Sequence, residues 1–577
     1  MMAPCRADPL ARSGTRLAIR AGLGYRAPAM PTSLRTLSAV LTIALLANAC
    51  GKGASGIESS PTTASSDTVA VPPVARASLP PPPASAPVAA ASASASTSAT
   101  AADSLPPPPT DGPHIYSKAR HVWIRYEPSA SSGWMGFMGL GGAVKLRPGA
   151  PRPGDGCNAF YPVEPRGWVC LDDRTTLDPN DPEYVAVRYF APRLDTPFPH
   201  HYGESRGTPR YLSIPTPEEQ RRREPNLDEH LHNLELLREG KLSPEDVPPG
   251  LRGVDPTPAG QPPPDILFRV PRVQEERDYI KPLSTIAWSH EFDAQGRTWL
   301  VTADVMLVPK DRVSPYPVST FHGVRLEDGV SLPFVFVREK PRPKYRRNAD
   351  GSIVPTGESW PRFARFPADP QIVQSGDKSY VVSKEDGLLI DEADATVVKP
   401  SLTTPWGAIV DGVPEEEARK VVVQRVPPPD GPRKTWVEVS VLSGWLIAYE
   451  GTRPVFATLI APGRGGVPRR GVDPLKDAAT PTGYFRIDGK FWTATMANNA
   501  FVHSDVPFAQ NFHGPHALHM AYWHDDWGQK KSGGCINLSP EDARWFFLWT
   551  EPAIPDGWFG IRSDKQAGPA SIVIVHS

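Results

Sequence analysis

The segment from Ala517 to Trp549 fixes a local fold before anything else in the chain does. Ala517-Leu518-His519-Met520-Ala521-Tyr522-Trp523-His524 reads as a strand leading into a loop, which places His519 at a strand end. Sixteen residues beyond His519 comes Ser532-Gly533-Gly534-Cys535-Ile536-Asn537, a turn of small residues around a cysteine. A helix start follows at once. Ser539 is an N-cap, Pro540 takes the first helical position, and Glu541 and Asp542 fill the first turn, predicting a helix over 540–550. The cysteine therefore lies in a turn between a strand and a helix.

A cysteine is a strong nucleophile only as its thiolate, so a catalytic one needs a base or cation nearby and access for substrate. Cys535 is the candidate nucleophile and His519 the candidate general base and acid. Small residues before the cysteine leave the backbone amides of Gly534 and Cys535 free to approach a developing oxyanion. Ser532 is read as a hydrogen-bonding turn residue and Asn537 as fixing the turn or the helix start through backbone hydrogen bonds. His503, His513, His516 and His524 compete with His519 for the role of base, His516 standing nineteen residues before the cysteine. Tyr522, Trp523 and His524 are candidate substrate contacts, with packing as the alternative for the two aromatics. No HExxH motif and no carboxylate at ligand spacing accompanies the histidines, so neither a metal site nor a cofactor is expected.

The arrangement of His519 with Ser532-x-Gly534-Cys535-Ile536-Asn537 resembles the signature of the L,D-transpeptidases of the YkuD type. Thr480-Pro481-Thr482-Gly483-Tyr484-Phe485 is similar to that family's strand and turn ahead of the active site. Trp436-Val437-Glu438-Val439-Ser440 and Ala448-Tyr449-Glu450-Gly451 resemble its opening hairpin. The resemblance covers about residues 434–577. Two positions depart from the family pattern: Gly533 stands where a His or another large residue is usual, and Met520 where Gly usually follows the histidine. Met520 fits if its backbone carbonyl orients the His519 ring. The resemblance implies a thioester acyl-enzyme on a peptidoglycan stem peptide, release of D-Ala, and transfer to an amine. Two alternatives stand beside it: a peptidoglycan carboxypeptidase or endopeptidase on the same domain, and a wall-binding scaffold whose catalytic domain is degenerate.

The rest of the chain is consistent with export. Residues 51–112 are dominated by Ala, Ser, Thr and Pro, including two Pro4 runs, and cannot bury enough apolar surface to offset chain entropy. They read as a disordered tether. Before them, Leu37 to Cys50 has the shape of a secretory signal, and its last residues resemble a bacterial lipoprotein signal with Cys50 lipidated, ordinary cleavage after Ala47-Asn48-Ala49 being the alternative; residues 1–29 precede a complete signal, so Met30 is read as the true start. Cys157 and Cys170, thirteen apart, are read as a disulfide, leaving Cys535 as the lone thiol and Cys5 outside the mature protein. A net charge of −1 gives no reason to expect nucleic acid. The expected address is the periplasm or cell envelope, with the protein held at the membrane by a lipid anchor.

Short strand patterns fill most of the remainder, so the chain is expected to be mainly β. The expected domains are a signal at 1–50, the tether at 51–112, SH3-like β modules with a helical insertion at 113–330, an intermediate β and linker region at 331–430, and the catalytic β-sandwich at 431–577. Thr216-Pro217-Glu218-Glu219 and the leucines from Leu227 to Leu237 mark the helices of the insertion. Long Pro-rich joins predict that the N-terminal modules do not form one compact unit with the catalytic domain.

Overall fold

Strand alternation organises the first module. In β1 (Val122–Arg125), Val122 and Ile124 are buried while Trp123 and Arg125 are half-buried, the pattern of a sheet with one face packed. The structure, a computed structural model, describes residue 109 and residues 111–260, 279–327, 332–421, 425–497, 501–564 and 567–577. Met30, Cys50 and nearly all of the tether lie outside the described residues. Antiparallel pairing joins β1 to β2 (Trp134–Met138). Beyond them β3 (Cys157–Pro162) pairs with β4 (Trp168–Cys170), and a disulfide joins Cys157 to Cys170. The inward side chains Val122, Ile124, Met135 and Met138 pack against Trp558 and Ile561, from the far end of the chain.

The helical insertion is held by ions. A helix not expected from the sequence, α1 (Pro182–Arg188), begins at Asp181, whose carboxylate accepts the Glu183 and Tyr184 amides; its proline-flanked start had the composition of a loop. Thr216 caps α2 (Pro217–Arg223) as its sequence indicated, and α3 (Leu227–Arg238) follows. Next come β5 (Thr285–Ala294) and β6 (Arg297–Thr302), an antiparallel hairpin. The Arg297 guanidinium, at the start of β6, donates to both oxygens of Glu224 at 2.8 Å and both oxygens of Asp311 at 2.6 Å. All three side chains are at most 3% exposed. Asp311 also meets His230 of α3 at 2.9 Å. Seven strands between Phe334 and Val398 then form a separate sheet over Val335, Val337, Phe366, Val381 and Ile390.

The C-terminal region stacks two sheets. β7 (Thr435–Ser440), β8 (Trp445–Glu450) and β9 (Arg453–Leu459) pair antiparallel in sequence. The second sheet carries β10 (Gly489–Ala497), β11 (Val502–His513), β12 (His516–Met520) and the short β13 (Ile536–Leu538). After β13 the chain enters α4 (Pro540–Trp549), capped by Ser539, then β14 (Gly560–Arg562) and β15 (Ile572–His576), which runs parallel to β7. Val437, Val439, Leu446 and Ala448 meet Phe508, Leu518, Met520, Phe546 and Phe547 in one core. The opposite face of β7–β9 is also covered, since Trp436, Ile447 and Tyr449 pack with Phe334, Phe336 and Trp527. That explains why every residue of β7 is buried.

The modules do not stand apart, which corrects the expectation drawn from the proline-rich joins. β14 pairs with β10 on one side and with β2 on the other, and β5 pairs with β11 through Thr285 and His503. Strand edges left open template unwanted pairing, and here the upstream strands close the edges of the catalytic sheet. Long joins allow this return instead of preventing it.

Removing the buried cation should unfasten the helical insertion. Arg297→Met leaves the two buried carboxylates without the cation they share, with Arg312 still on Glu224 and His230 still on Asp311, and the expected cost is about 3–5 kcal/mol. Urea unfolding followed by tryptophan fluorescence should show the loss, and an unchanged midpoint would contradict this role for the triad.

Candidate active site

Parallel pairing of β12 with β13 sets Leu518 against Ile536, His519 against Asn537 and Met520 against Leu538. Side chains alternate along a strand, so His519 and Asn537 share a face, and Cys535, two residues before Asn537, joins them there. Two further contacts fix the register. Ala461 and Asn537 exchange backbone hydrogen bonds at 3.0 Å in each direction, and the Arg464 amide donates to the Ser532 carbonyl at 2.9 Å.

A directed chain of hydrogen bonds runs through the histidines. The His519 Nδ1–H donates to the Met520 carbonyl at 2.7 Å, and its Nε2 accepts from Asn537 Nδ2 at 3.0 Å. Asn537 Oδ1 in turn accepts from His524 Nε2–H at 3.2 Å, and His524 Nδ1 accepts the Asp526 amide at 3.2 Å. Every donor meets an acceptor only when His519 carries its proton on Nδ1 and His524 on Nε2. Asn537 thus bridges two imidazoles through its side chain, whereas the sequence assigned it to the backbone of the turn. The Met520 carbonyl orients the His519 ring regardless of the Met520 side chain.

Cys535 is partly exposed, and its Sγ faces the Pro515 carbonyl at 3.8 Å. Among the described residues no hydrogen bond joins it to His519, so the expected thiol–imidazole pair is not closed in this geometry. Burial pushes the Cys535 thiol up, with the Ala517 amide pulling the other way. Burial also holds the His519 imidazole down, to about 4. Near neutral pH both groups are therefore uncharged, a thiol beside a neutral base.

The turn departs from expectation at its amides. The Gly534 N–H donates to Ser532 Oγ at 3.0 Å, and the Ser532 hydroxyl donates to the Cys535 carbonyl at 2.5 Å. Ser532 therefore occupies the Gly534 amide, and the Cys535 amide is the one it leaves for an oxyanion. Gly534 has φ +125°, and a Cβ there would lie 2.9 Å from both the Ala479 carbonyl oxygen and His516 Nε2; no other residue fits. At the exposed Gly533 a Cβ would meet nothing within 4 Å, so the approach above the cysteine is open.

The remaining candidates separate. Tyr522 takes the packing alternative: it is 4% exposed, stacks on Tyr202 with ring centroids 3.9 Å apart, and its hydroxyl is bound by Thr285 and the Ser504 carbonyl. Trp523 is half-buried, stacked flat on His503 at 4.0 Å and 5.8 Å from the His519 ring. His516 lies beneath Gly534 on the opposite face of β12 from His519, and His513 is exposed. Several supports escaped the sequence. Arg362 pairs with Asp525 at 3.1 Å and Arg338 donates to the Gly528 carbonyl at 3.1 Å, so the upstream sheet pins the loop between His519 and Cys535. Neither arginine has a local signal, because each arrives from another module. Thr480, which accepts the Gly463 amide at 2.8 Å, was visible only inside the Thr-Pro-Thr-Gly motif. No cluster of three or more His, Cys, Asp or Glu suited to a metal occurs among the described residues. A cleft of about 790 Å³ lined by Arg325, Arg365, Asp542 and Trp545 includes none of the candidate residues.

Residues 434–565 match the family model of the YkuD L,D-transpeptidase catalytic domain. A search of curated proteins finds no match. Among solved structures, an L,D-transpeptidase from Stackebrandtia nassauensis is 21% identical, with 26% of this chain and 58% of that chain covered and a TM-score of 0.18. One from Xylanimonas cellulosilytica is 19% identical over 26% of this chain and 64% of that one, with a TM-score of 0.17. An Enterococcus faecium L,D-transpeptidase is 14% identical over 35% and 74%, with a TM-score of 0.19. The chain thus spans 58% and 64% of the first two.

The charge state of the pair has a measurable consequence. The thiolate fraction of a thiol falls tenfold for each pH unit below its pKa, so alkylation of Cys535 by a small reagent should rise about tenfold per unit between about pH 6 and 8. His519, neutral throughout that window, should add no inflection. A rate that is flat across it would mean a preformed thiolate–imidazolium pair and would contradict the neutral assignment.

Proposed function

We propose that the YkuD-type L,D-transpeptidase catalytic domain carried by residues 434–565 acts as a peptidoglycan acyltransferase with Cys535 as nucleophile and His519 as base. The observation that carries this is the shared face of β12 and β13, on which His519 stands opposite Asn537, two residues after Cys535, and the His519 Nε2 lone pair is held by the Asn537 amide. When a stem peptide enters over Gly533, the Asn537 amide yields Nε2 to the thiol. Sulfur attacks the carbonyl that precedes the terminal D-Ala as the thiol proton passes to Nε2. The tetrahedral oxyanion is held by the Cys535 amide. Collapse breaks the C–N bond, the departing D-Ala amine takes the proton from Nε2, and a thioester remains on Cys535. An acceptor amine then attacks the thioester and gives its proton to Nε2, the C–S bond breaks, and Nε2 returns that proton to the departing Cys535 sulfur; with water as acceptor the same site is a carboxypeptidase.

A cell-envelope address suits this substrate, with the 51–112 tether giving reach from a lipid anchor at Cys50. Ser532 closes the turn, and Trp523 and His524 shape the approach to the base without touching the reacting atoms.

Muropeptides incubated with purified 113–577 should lose D-Ala, and mass spectrometry should show joined stems for transfer or a tetrapeptide acid for hydrolysis. Cys535→Ala should abolish both, and Cys535→Ser should leave at most a trace. His519→Ala should lower the rate by about 10²–10⁴-fold, and His516→Ala by less. A carbapenem, whose strained carbonyl traps a thiolate, should add once to the wild type and not to Cys535→Ala. An unmodified wild type under conditions where a general thiol reagent labels Cys535 would favour the degenerate, wall-binding alternative.

A further inference from the structure

A second strip of chain runs along the cysteine turn. Ala461 exchanges two backbone hydrogen bonds with Asn537, and the Pro462 carbonyl accepts the Lys531 amide at 2.8 Å and the Ser532 amide at 3.0 Å. The Arg464 amide then donates to the Ser532 carbonyl at 2.9 Å. Thr480 holds the strip from behind: its Oγ1 accepts the Gly463 amide, and its own amide donates to the Gly466 carbonyl at 2.9 Å. So close a seat requires glycine. A Cβ at Gly463 would lie 2.3 Å from the Ala478 carbonyl oxygen, and one at Gly465 2.1 Å from that of Asp477. Arg464 is therefore fixed beside the carbonyl that leads into Gly533, where the approach to Cys535 is open.

Cations without carboxylate partners meet at this edge. Arg464 and Lys530 are exposed, and the Lys530 Nζ stands 3.4 Å from where a Cβ of Gly466 would be, over the same strip. Neighbouring charges are matched. Arg469 pairs with Asp477 at 2.6 Å and Lys531 with Asp526 at 2.7 Å, while the Asp473 carboxylate accepts the Leu475 amide. Among the described residues no ion pair holds Arg464 or Lys530, nor the exposed Arg470 and Lys476 further along the loop. In a chain whose net charge is −1, these cations make the rim of the cysteine turn locally positive. Charge of one sign gathered beside an open site concentrates ligands of the other sign there.

We propose that Arg464 and Lys530 form a carboxylate-binding rim that selects stem peptides whose carboxyls next to the scissile bond are free over stems in which they are amidated. The proposal rests on the peptidoglycan reading of the site, but its test is separable from catalysis. A stem entering over Gly533 carries carboxylates on its glutamate and on its diamino acid. These lie one or two residues from the scissile carbonyl, roughly 4–7 Å along an extended chain, so they pass the rim as that carbonyl reaches Cys535. A guanidinium takes a carboxylate through two parallel hydrogen bonds, and an ammonium supplies a point charge. Neither bonds well to a primary amide, which offers one neutral oxygen and turns an NH2 toward groups that can only donate.

Calorimetry on full-length Cys535→Ala protein reads binding without turnover. One probe is a stem tetrapeptide of L-Ala, γ-linked D-Glu, diaminopimelate and D-Ala with its carboxyls free. The other is the same peptide with the glutamate α-carboxyl and the diaminopimelate side-chain carboxyl amidated. The free stem should bind about five- to tenfold more tightly, as expected of charged hydrogen bonds in a partly exposed setting. Adding Arg464→Met and Lys530→Met should bring the two affinities together, with an unchanged melting temperature marking an intact fold. Raising NaCl from about 0.05 M to about 0.5 M should shrink the preference while both cations are present, a reading that needs no rim variant. Equal affinity for the two stems, binding of neither, or a preference that survives both the double variant and the salt would overturn the proposal. A salt-sensitive preference alongside a wild type that releases no D-Ala would support the rim and overturn only the catalytic reading.

Discussion

The parallel pairing of β12 with β13 is the constraint on which the site depends. A strand's side chains alternate between faces, so a slip of one residue would send Cys535 and Asn537 to the side opposite His519. The chain guards this register from outside the pair. Ala461 grips Asn537 through two backbone hydrogen bonds, and Gly534 accepts a positive φ that lets the turn pass close over Ala479 and His516. With the register set, Asn537 reaches both imidazoles and dictates their tautomers. The base is oriented before any substrate arrives, by an amide that must give way when the thiol engages.

The upstream modules support that arrangement mechanically. The sheet of residues 334–398 reaches the loop before the cysteine through Arg338 and Arg362, and Ser319 accepts the Trp527 indole N–H at 3.1 Å. The N-terminal strands close the other edge, with Thr285 donating or accepting at Tyr522 and Arg120 paired with the buried Asp505 at 2.6 Å. Such contacts bury polar groups in matched pairs, which fixes geometry even where it adds little stability. They also explain why a catalytic domain of modest length sits within a chain several times larger.

Local features of the site were legible in the sequence, and relations between modules were not. The helix after the cysteine appears with the cap its residues announced, and the strand ending near His519 lies where its apolar run placed it. Both depend on neighbours within a few residues. The occupation of the Gly534 amide by Ser532 was missed because a turn of small residues permits several closures, and only the observed backbone chooses one. Tyr522 reads equally well as a cleft residue or a packing residue until Tyr202 is known to lie against it, and Tyr202 is more than three hundred residues away. The shared sheet was hidden for the same reason: proline-rich joins report the absence of local structure, not where the chain goes afterwards.

The claim at the centre of this account is that Asn537 holds a neutral His519 with its proton on Nδ1 and its lone pair on Nε2. Imidazole ¹⁵N shifts of histidine-labelled protein, assigned by loss of one signal in His519→Gln, measure that directly. At neutral pH the account predicts a protonated Nδ1 and an unprotonated Nε2 for His519, titrating only near pH 4. A proton on Nε2, or a doubly protonated ring at pH 7, would contradict it.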